Sequence, residues 1–198
     1  QDLDCDFLVF SAHKMLGPTG VGVLYAKEEV LTPMEPYQGG GDMILEVTKE
    51  GATWNELPYK FEAGTPNIAG VIGFGAALSY LSKIGMANVW AHDQEIAEYG
   101  LRVLGQVPGV RVLTDGAIAP QGRSAIFPLV IEGVHPHDTG SILDEHHIAI
   151  RAGHHCAMVL HQTFSVPATV RASGYLYTTK KDIDALAAGL KKVQEVFA

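Results

Sequence analysis

Only two cysteines, Cys5 and Cys156, stand in the 198 residues, too few for a disulfide-rich scaffold. No charged-then-apolar leader opens the chain at Gln1, and together these features predict a reducing, cytoplasmic setting. Long apolar runs are missing too: the longest, over 70–81, is broken by Gly73 and Gly75 and falls short of the roughly 18 residues of a membrane span. Positive charge is scarce, with 14 Lys and Arg against 22 Asp and Glu and a net charge of −8. That balance argues against nucleic acid or an anionic membrane surface as the main partner and favours a small molecule or another protein. Gly-Lys-Ser/Thr is absent, so no P-loop is present, and no Cys-x-x-Cys or His-Glu-x-x-His spacing marks a metal site. What is abundant is glycine: 22 in 198 residues is about 11%, against a usual ~7%. With 47% hydrophobic and 18% charged residues the chain has the composition of a folded α/β or α+β protein.

Apolar runs over 7–10 and 21–26, separated by Gly17-Pro18-Thr19-Gly20, predict two buried strands joined by a tight loop. Residues 31–42, with Gly39, Gly40 and Gly41, read as loop. From Ile68 to Leu81 apolar residues lie nearly all round a helix capped by Asn67, which predicts a core helix. A half-exposed helix follows from Val89 to Leu104 and stops before Pro108-Gly109. Strands are expected over 110–113, 124–131, 148–150 and 168–172, with a short helix capped by Asp138 among them. The last helix is the clearest element: Thr179-Lys-Lys-Asp182 resembles a capping box, and Ile183, Leu186, Ala187, Leu190, Val193 and Phe197 form one stripe. The change of pattern near 85–90 predicts two lobes, 1–87 and 88–198.

Three segments can carry chemistry. Ser11-Ala12-His13-Lys14 ends the first strand, where a lysine beside a hydroxyl, an imidazole and free N–H groups can hold an anion and bond to a carbonyl cofactor. The same lysine can equally be a solvated strand end. Arg151-Ala-Gly-His-His-Cys156, with Arg171 further on, places a thiol among cations that favour the thiolate, and two arginines suit capture of a carboxylate. Read alone, Cys156 can also be a small buried hydrophobe, and the cluster of His146, His147, His154, His155, Cys156 and His161 leaves zinc open, without a ligand spacing to match. Finally, Phe61-Glu-Ala-Gly-Thr65-Pro-Asn67 precedes the core helix, where Thr65 and the first helical N–H groups can bind a phosphate.

The order of these motifs is itself informative. Ser-Ala-His-Lys-Met-Leu-Gly-Pro-Thr-Gly, Gln38-Gly-Gly-Gly-Asp42, Phe-Glu-Ala-Gly-Thr-Pro-Asn, Arg-Ala-Gly-His-His-Cys-Ala and Val166-Pro-Ala-Thr-Val-Arg171-Ala-Ser together resemble the SUF-type, NifS-like group II cysteine desulfurases of the class-V aminotransferases. The resemblance covers essentially the whole chain. It implies an α/β fragment of the aspartate-aminotransferase-like fold type I: the end of the large cofactor domain, then the small C-terminal domain with the cysteine loop. It implies pyridoxal 5'-phosphate held by Lys14, with Ser11 and His13 on its phosphate and Thr65 reaching the phosphate of the partner subunit in a homodimer. Arg171, assisted by Arg151, would bind the carboxylate of L-cysteine. Cys156 would attack the substrate sulfur, leaving a persulfide and L-alanine, with sulfur passed to an acceptor protein of the SUF system for iron–sulfur cluster assembly. Selenocysteine lyase activity is the neighbouring alternative, and a truncated chain without turnover, able only to dimerise or bind partners, is another. Val159 replaces a proline common in relatives, and Gly174 a larger apolar residue. Family members are about twice this length, and the Asp that meets the pyridine nitrogen precedes the lysine strand in them. Asp2, Asp4 and Asp6 lie too near Lys14 to match it.

Overall fold

The computed structural model describes residues 3–113 and 122–197, so Asp2 lies outside the described residues. The chain divides into two compact units, Gln1–Gly85 and Met86–Ala198.

The first unit begins with strands β1 (Phe7–Ser11) and β2 (Gly22–Ala26), paired antiparallel from Phe7 opposite Ala26 to Ser11 opposite Gly22. The one-turn helix α1 (Glu28–Leu31) follows, then a hairpin of β3 (Ile44–Val47) and β4 (Ala52–Trp54), and the 17-residue α2 (Ile68–Ile84). Its small core brings Ala12, Phe74 and Ala77 together with Phe10, Met15 and Val21. Gly17 is needed there, because a Cβ on it would lie 2.9 Å from both the Ala12 Cβ and the Phe74 ring. At the start of the chain Lys27 pairs with Asp4 and Asp6, each at 3.1 Å, and those hydrogen bonds raise the Lys27 pKa.

Burial in this unit departs from the sequence expectation. The two strands are not buried, since Val9 is 72% and Leu24 54% exposed, and α2 is not covered all round, since Ile72 is 70% exposed. A two-stranded ribbon has two faces, and among the described residues its cover comes from Phe74 and Ala77 of α2, which pack with Phe10 of β1 and with Val21 just before β2. Asn67 does cap α2 as expected: its Oδ1 accepts the Gly70 N–H at 3.0 Å.

The second unit opens with α3 (Met86–Leu104) and continues through β5 (Val110–Val112), β6 (Ile126–Ile131), α4 (Pro136–Glu145), β7 (Arg151–Gly153), α5 (Met158–Thr163), β8 (Thr169–Ser173) and α6 (Lys180–Phe197). The strands form an antiparallel sheet in the order β5-β6-β8-β7. Phe127, Leu129, Val170 and Ala172 of the sheet pack with Ile96 and Leu104 of α3, Leu143 of α4 and the α6 stripe Ile183, Leu186, Leu190 and Val193. Fully burying side chains of this kind stabilises by about 1.5–3 kcal/mol each before entropy is counted, so this sheet–helix layer forms the main core.

Two local expectations are corrected here. The strand lies at Arg151–Gly153 rather than over 148–150, because the Ile148 N–H closes the end of α4 on the Leu143 carbonyl at 2.9 Å while Ile148 and Ile150 pack on the core. His135, not Asp138, caps α4: its Nδ1 accepts the His137 N–H at 3.3 Å, and Pro136 in the first turn presets the helical φ. Among the described residues no single helix is long and apolar enough to cross a membrane.

Candidate functional site

In the first unit, Ser11 ends β1 and Ala12–Lys14 form one turn of 3-10 helix. The turn is built on the Ala12 backbone: its N–H donates to Val21 O at 3.1 Å, and its carbonyl accepts from Met15 and Gly17 at 2.8 and 2.9 Å. His13 and Lys14 are exposed, Ser11 half-buried. Asn67 Nδ2 donates to the Gly20 carbonyl at 3.2 Å, tying the entry of α2, two residues past Thr65, to the Gly17–Gly20 loop. Asn67 therefore links the loop that carries the exposed Thr65 to the loop that follows the Ser11–Lys14 turn. Among the described residues none of the side chains of Ser11, His13, Lys14 and Thr65 is held in an internal hydrogen bond or ion pair. The primary amine, hydroxyl and imidazole of Lys14, Ser11 and His13 fit a phosphorylated aldehyde such as pyridoxal phosphate, and the Thr65 hydroxyl stands on the separate loop before α2.

In the second unit the cysteine segment leaves the sheet at Gly153, whose φ of 123° is open to glycine and closed to most other residues. His155 and Cys156 follow at φ 55° and 61°, consecutive left-handed positions that cost on the order of 1 kcal/mol each and need surrounding contacts to persist. Those contacts are specific. His155 Nε2 lies 2.8 Å from Thr169 Oγ1 and 3.2 Å from the Thr169 carbonyl oxygen. His161 Nε2 lies 3.0 Å from the same hydroxyl, and His161 Nδ1 lies 2.8 Å from the Ala157 carbonyl. The Cys156 thiol is exposed, and Arg151 Nη2 reaches its Sγ at 3.9 Å.

Arg151 on β7 is the register partner of Arg171 on β8, so the structure brings the two arginines and the thiol together. Arg171 Nε is buried without a partner, and so is His155 Nδ1. Both residues line a cleft of about 430 Å³ with Pro128, Ala157, Leu160 and His161. An unpaired guanidinium donor in such a cleft suits a carboxylate. Burial pushes the His155 ring below the usual imidazole range, and the Arg171 charge pushes the same way, so His155 stands neutral at neutral pH.

Three of the clustered histidines have partners of their own: His155 and His161 bond Thr169, while His154 stacks edge-on against His161. Thr169 was not legible as part of the site. The available signal was its place at the head of the strand Thr169–Ser173, two residues before Arg171.

The class-V aminotransferase family model matches residues 1–186. A probable cysteine desulfurase from Halalkalibacterium halodurans is 52% identical over 197 residues, covering 100% of this chain and 47% of its own length. The crystal structure of the cysteine desulfurase CsdA from Escherichia coli superposes with a TM-score of 0.90 at 41% identity, over 99% of this chain and 48% of that one. A cysteine desulfurase from Thermococcus onnurineus NA1 gives 0.91 at 34% identity, over 98% and 48%. The mixed α/β fold matches these structures, and the chain spans about half the length of the curated relatives it matches.

Proposed function

The chain belongs to the class-V aminotransferase family, and from that premise we propose that it supplies the lysine, the thiol and the carboxylate-binding arginines of a pyridoxal-phosphate-dependent cysteine desulfurase. Residues 1–87 are read as the end of its large domain and 88–198 as its small domain. The observation that carries the proposal is the exposed Cys156 thiol beside Arg151, next to a cleft with an unpaired Arg171 guanidinium donor.

Lys14 holds the cofactor and moves the proton at the substrate α-carbon, while Ser11 and His13 bind the cofactor phosphate. Bound pyridoxal phosphate supplies the electron sink for charge developing at that carbon. Arg171, with Arg151, fixes the L-cysteine carboxylate and so orients its side chain. The Cys156 thiolate attacks the substrate sulfur: an S–S bond forms, the substrate Cβ–S bond breaks, and its electron pair stays on carbon, which takes up a proton. The products are a persulfide on Cys156 and L-alanine. Arg151 favours the attacking thiolate.

The reading extends to the SUF-type branch, in which sulfur passes from Cys156 to an acceptor protein for iron–sulfur cluster assembly. It also includes a homodimer in which Thr65 serves the partner's cofactor phosphate. Support comes from the short Arg151-to-Cys156 segment and from the exposure of Cys156 and Thr65.

Two variants of the enzyme carrying this sequence test the assignment. Cys156→Ala is expected to stop alanine and sulfide formation from L-cysteine; an undiminished rate contradicts the role of the thiol. Borohydride reduction with pyridoxal phosphate is expected to label Lys14, and labelling unchanged in Lys14→Ala contradicts the cofactor site.

A further inference from the structure

Thr169 has no exposed surface, and its single hydroxyl lies within hydrogen-bond distance of two imidazoles, His155 Nε2 at 2.8 Å and His161 Nε2 at 3.0 Å. A hydroxyl has one proton to give and two lone pairs to accept with, so at most one of the two rings accepts from it and at least one donates to it. A carbonyl only accepts, so His161 Nδ1, 2.8 Å from the Ala157 carbonyl, carries a proton there, and in the neutral ring Nε2 is then the acceptor of the Thr169 O–H. His155 Nε2 then carries its own proton and donates to Thr169 Oγ1 and to the Thr169 carbonyl at 3.2 Å. His155 Nδ1 is left without a proton, in keeping with a buried atom that has no partner. The charged groups facing His155 are Arg171 from β8 and Arg151 from β7, which both oppose a second proton on its ring, and the titratable neighbour is His161 from α5.

We infer that Thr169 is a positioning residue for Cys156: one buried hydroxyl holds the rings at both ends of the 155–161 segment and so fixes the left-handed backbone that presents the thiol to Arg151. Thr169 acts through the two histidines and does not touch the thiol. His155 and Cys156 occupy a conformation that only over-determined surroundings keep, and the Thr169 bonds anchor this segment to β8, beside the longer Arg151–Cys156 contact from β7. The importance of the inference rests on the role proposed above for Cys156; its truth does not.

The test uses the 198-residue chain with Cys5→Ala, so that Cys156 is the only thiol, and compares Thr169→Val with Thr169→Ser. Nitrogen-15 spectra of the histidine rings report the tautomers, and iodoacetamide alkylation against pH reports how Cys156 is presented. Expected are an Nε2–H tautomer at His155 and an Nδ1–H tautomer at His161 in the parent. In Thr169→Val the backbone carbonyls keep the tautomers, but the Nε2 signals of both rings shift as the hydroxyl bonds are lost, and the Cys156 alkylation rate at neutral pH changes by about 3- to 10-fold with an altered pH profile. Thr169→Ser restores all three. A parent His155 protonated on Nδ1 overturns the inference, as does a folded Thr169→Val with unchanged rings and profile. Should Thr169→Val fail to fold, the parent tautomers and the Ser variant still decide. None of these readouts needs cofactor or turnover, so failure here and failure of the desulfurase assignment are separate results.

Discussion

Arg151 and Arg171 stand directly opposite each other across the β7–β8 ladder, two cations on one face of an antiparallel pair. Like charges so placed destabilise the sheet by roughly 0.2–1 kcal/mol unless an anion lies between them. Arg171→Met is therefore expected to raise the unfolding midpoint of the ligand-free chain slightly at low salt, and added salt should shrink the gain. The same change should lower kcat/KM for L-cysteine about 10- to 100-fold, the effect of losing a charged hydrogen bond. A strongly destabilised Arg171→Met, or unchanged kcat/KM, contradicts a carboxylate clamp.

Asn67 links the loop that carries Thr65 to the loop that follows the Lys14 turn, capping α2 and bonding the Gly20 carbonyl. Asn67→Ala should cost about 1 kcal/mol in denaturant unfolding and weaken pyridoxal phosphate binding. An unchanged midpoint would mean that the tie is not formed in solution.

His155 gives a pH dependence with a definite sign. Its pKa is depressed below 6.5 in the folded state by burial, with Arg171 adding to the effect, so the unfolded chain binds the extra proton more readily. Its contribution is full above 6.5 and is lost as pH falls through the folded pKa. Thermal unfolding followed downward from neutral pH should show that loss, and His155→Gln should flatten the curve. Identical slopes for the two proteins would remove His155 from the account.

At the start of α6 the Asp182 carboxylate accepts from the Thr179 N–H at 2.7 Å and the Thr179 hydroxyl at 2.8 Å, and these bonds lower its pKa below 3.8. Its stabilisation is present above that value and lost as pH falls through the folded pKa. Asp182→Ala should cost roughly 0.5–1 kcal/mol at neutral pH, measured by urea unfolding, and little at strongly acidic pH. A cost that does not change with pH would contradict the carboxylate's role.

The Thr179–Asp182 start, the α6 stripe and the Asn67 cap were legible because each is local: a few residues in sequence contain the whole interaction. The Arg151-to-Cys156 segment was legible for the same reason. The β3–β4 hairpin was not, since Ile44–Val47 does not alternate cleanly and its turn, Thr48-Lys-Glu-Gly51, lacks an Asn-Gly or Asp-Gly signature. The six-residue α5 is too short to show a period. Burial of β1, β2 and α2 was over-read, because an apolar pattern says which residues seek cover and not what covers them. Thr169 went unseen because its partners lie 8 and 14 positions away and meet it only through the fold.

The most direct test of the desulfurase account is mass spectrometry of the enzyme carrying this sequence after exposure to L-cysteine and pyridoxal phosphate without reductant. The account predicts one added sulfur on the peptide containing Cys156, removed by thiol reductant and absent from the Lys14→Ala variant. Alanine formed at full rate while Cys156 stays unmodified, or sulfur retained on Cys5 instead, would contradict it.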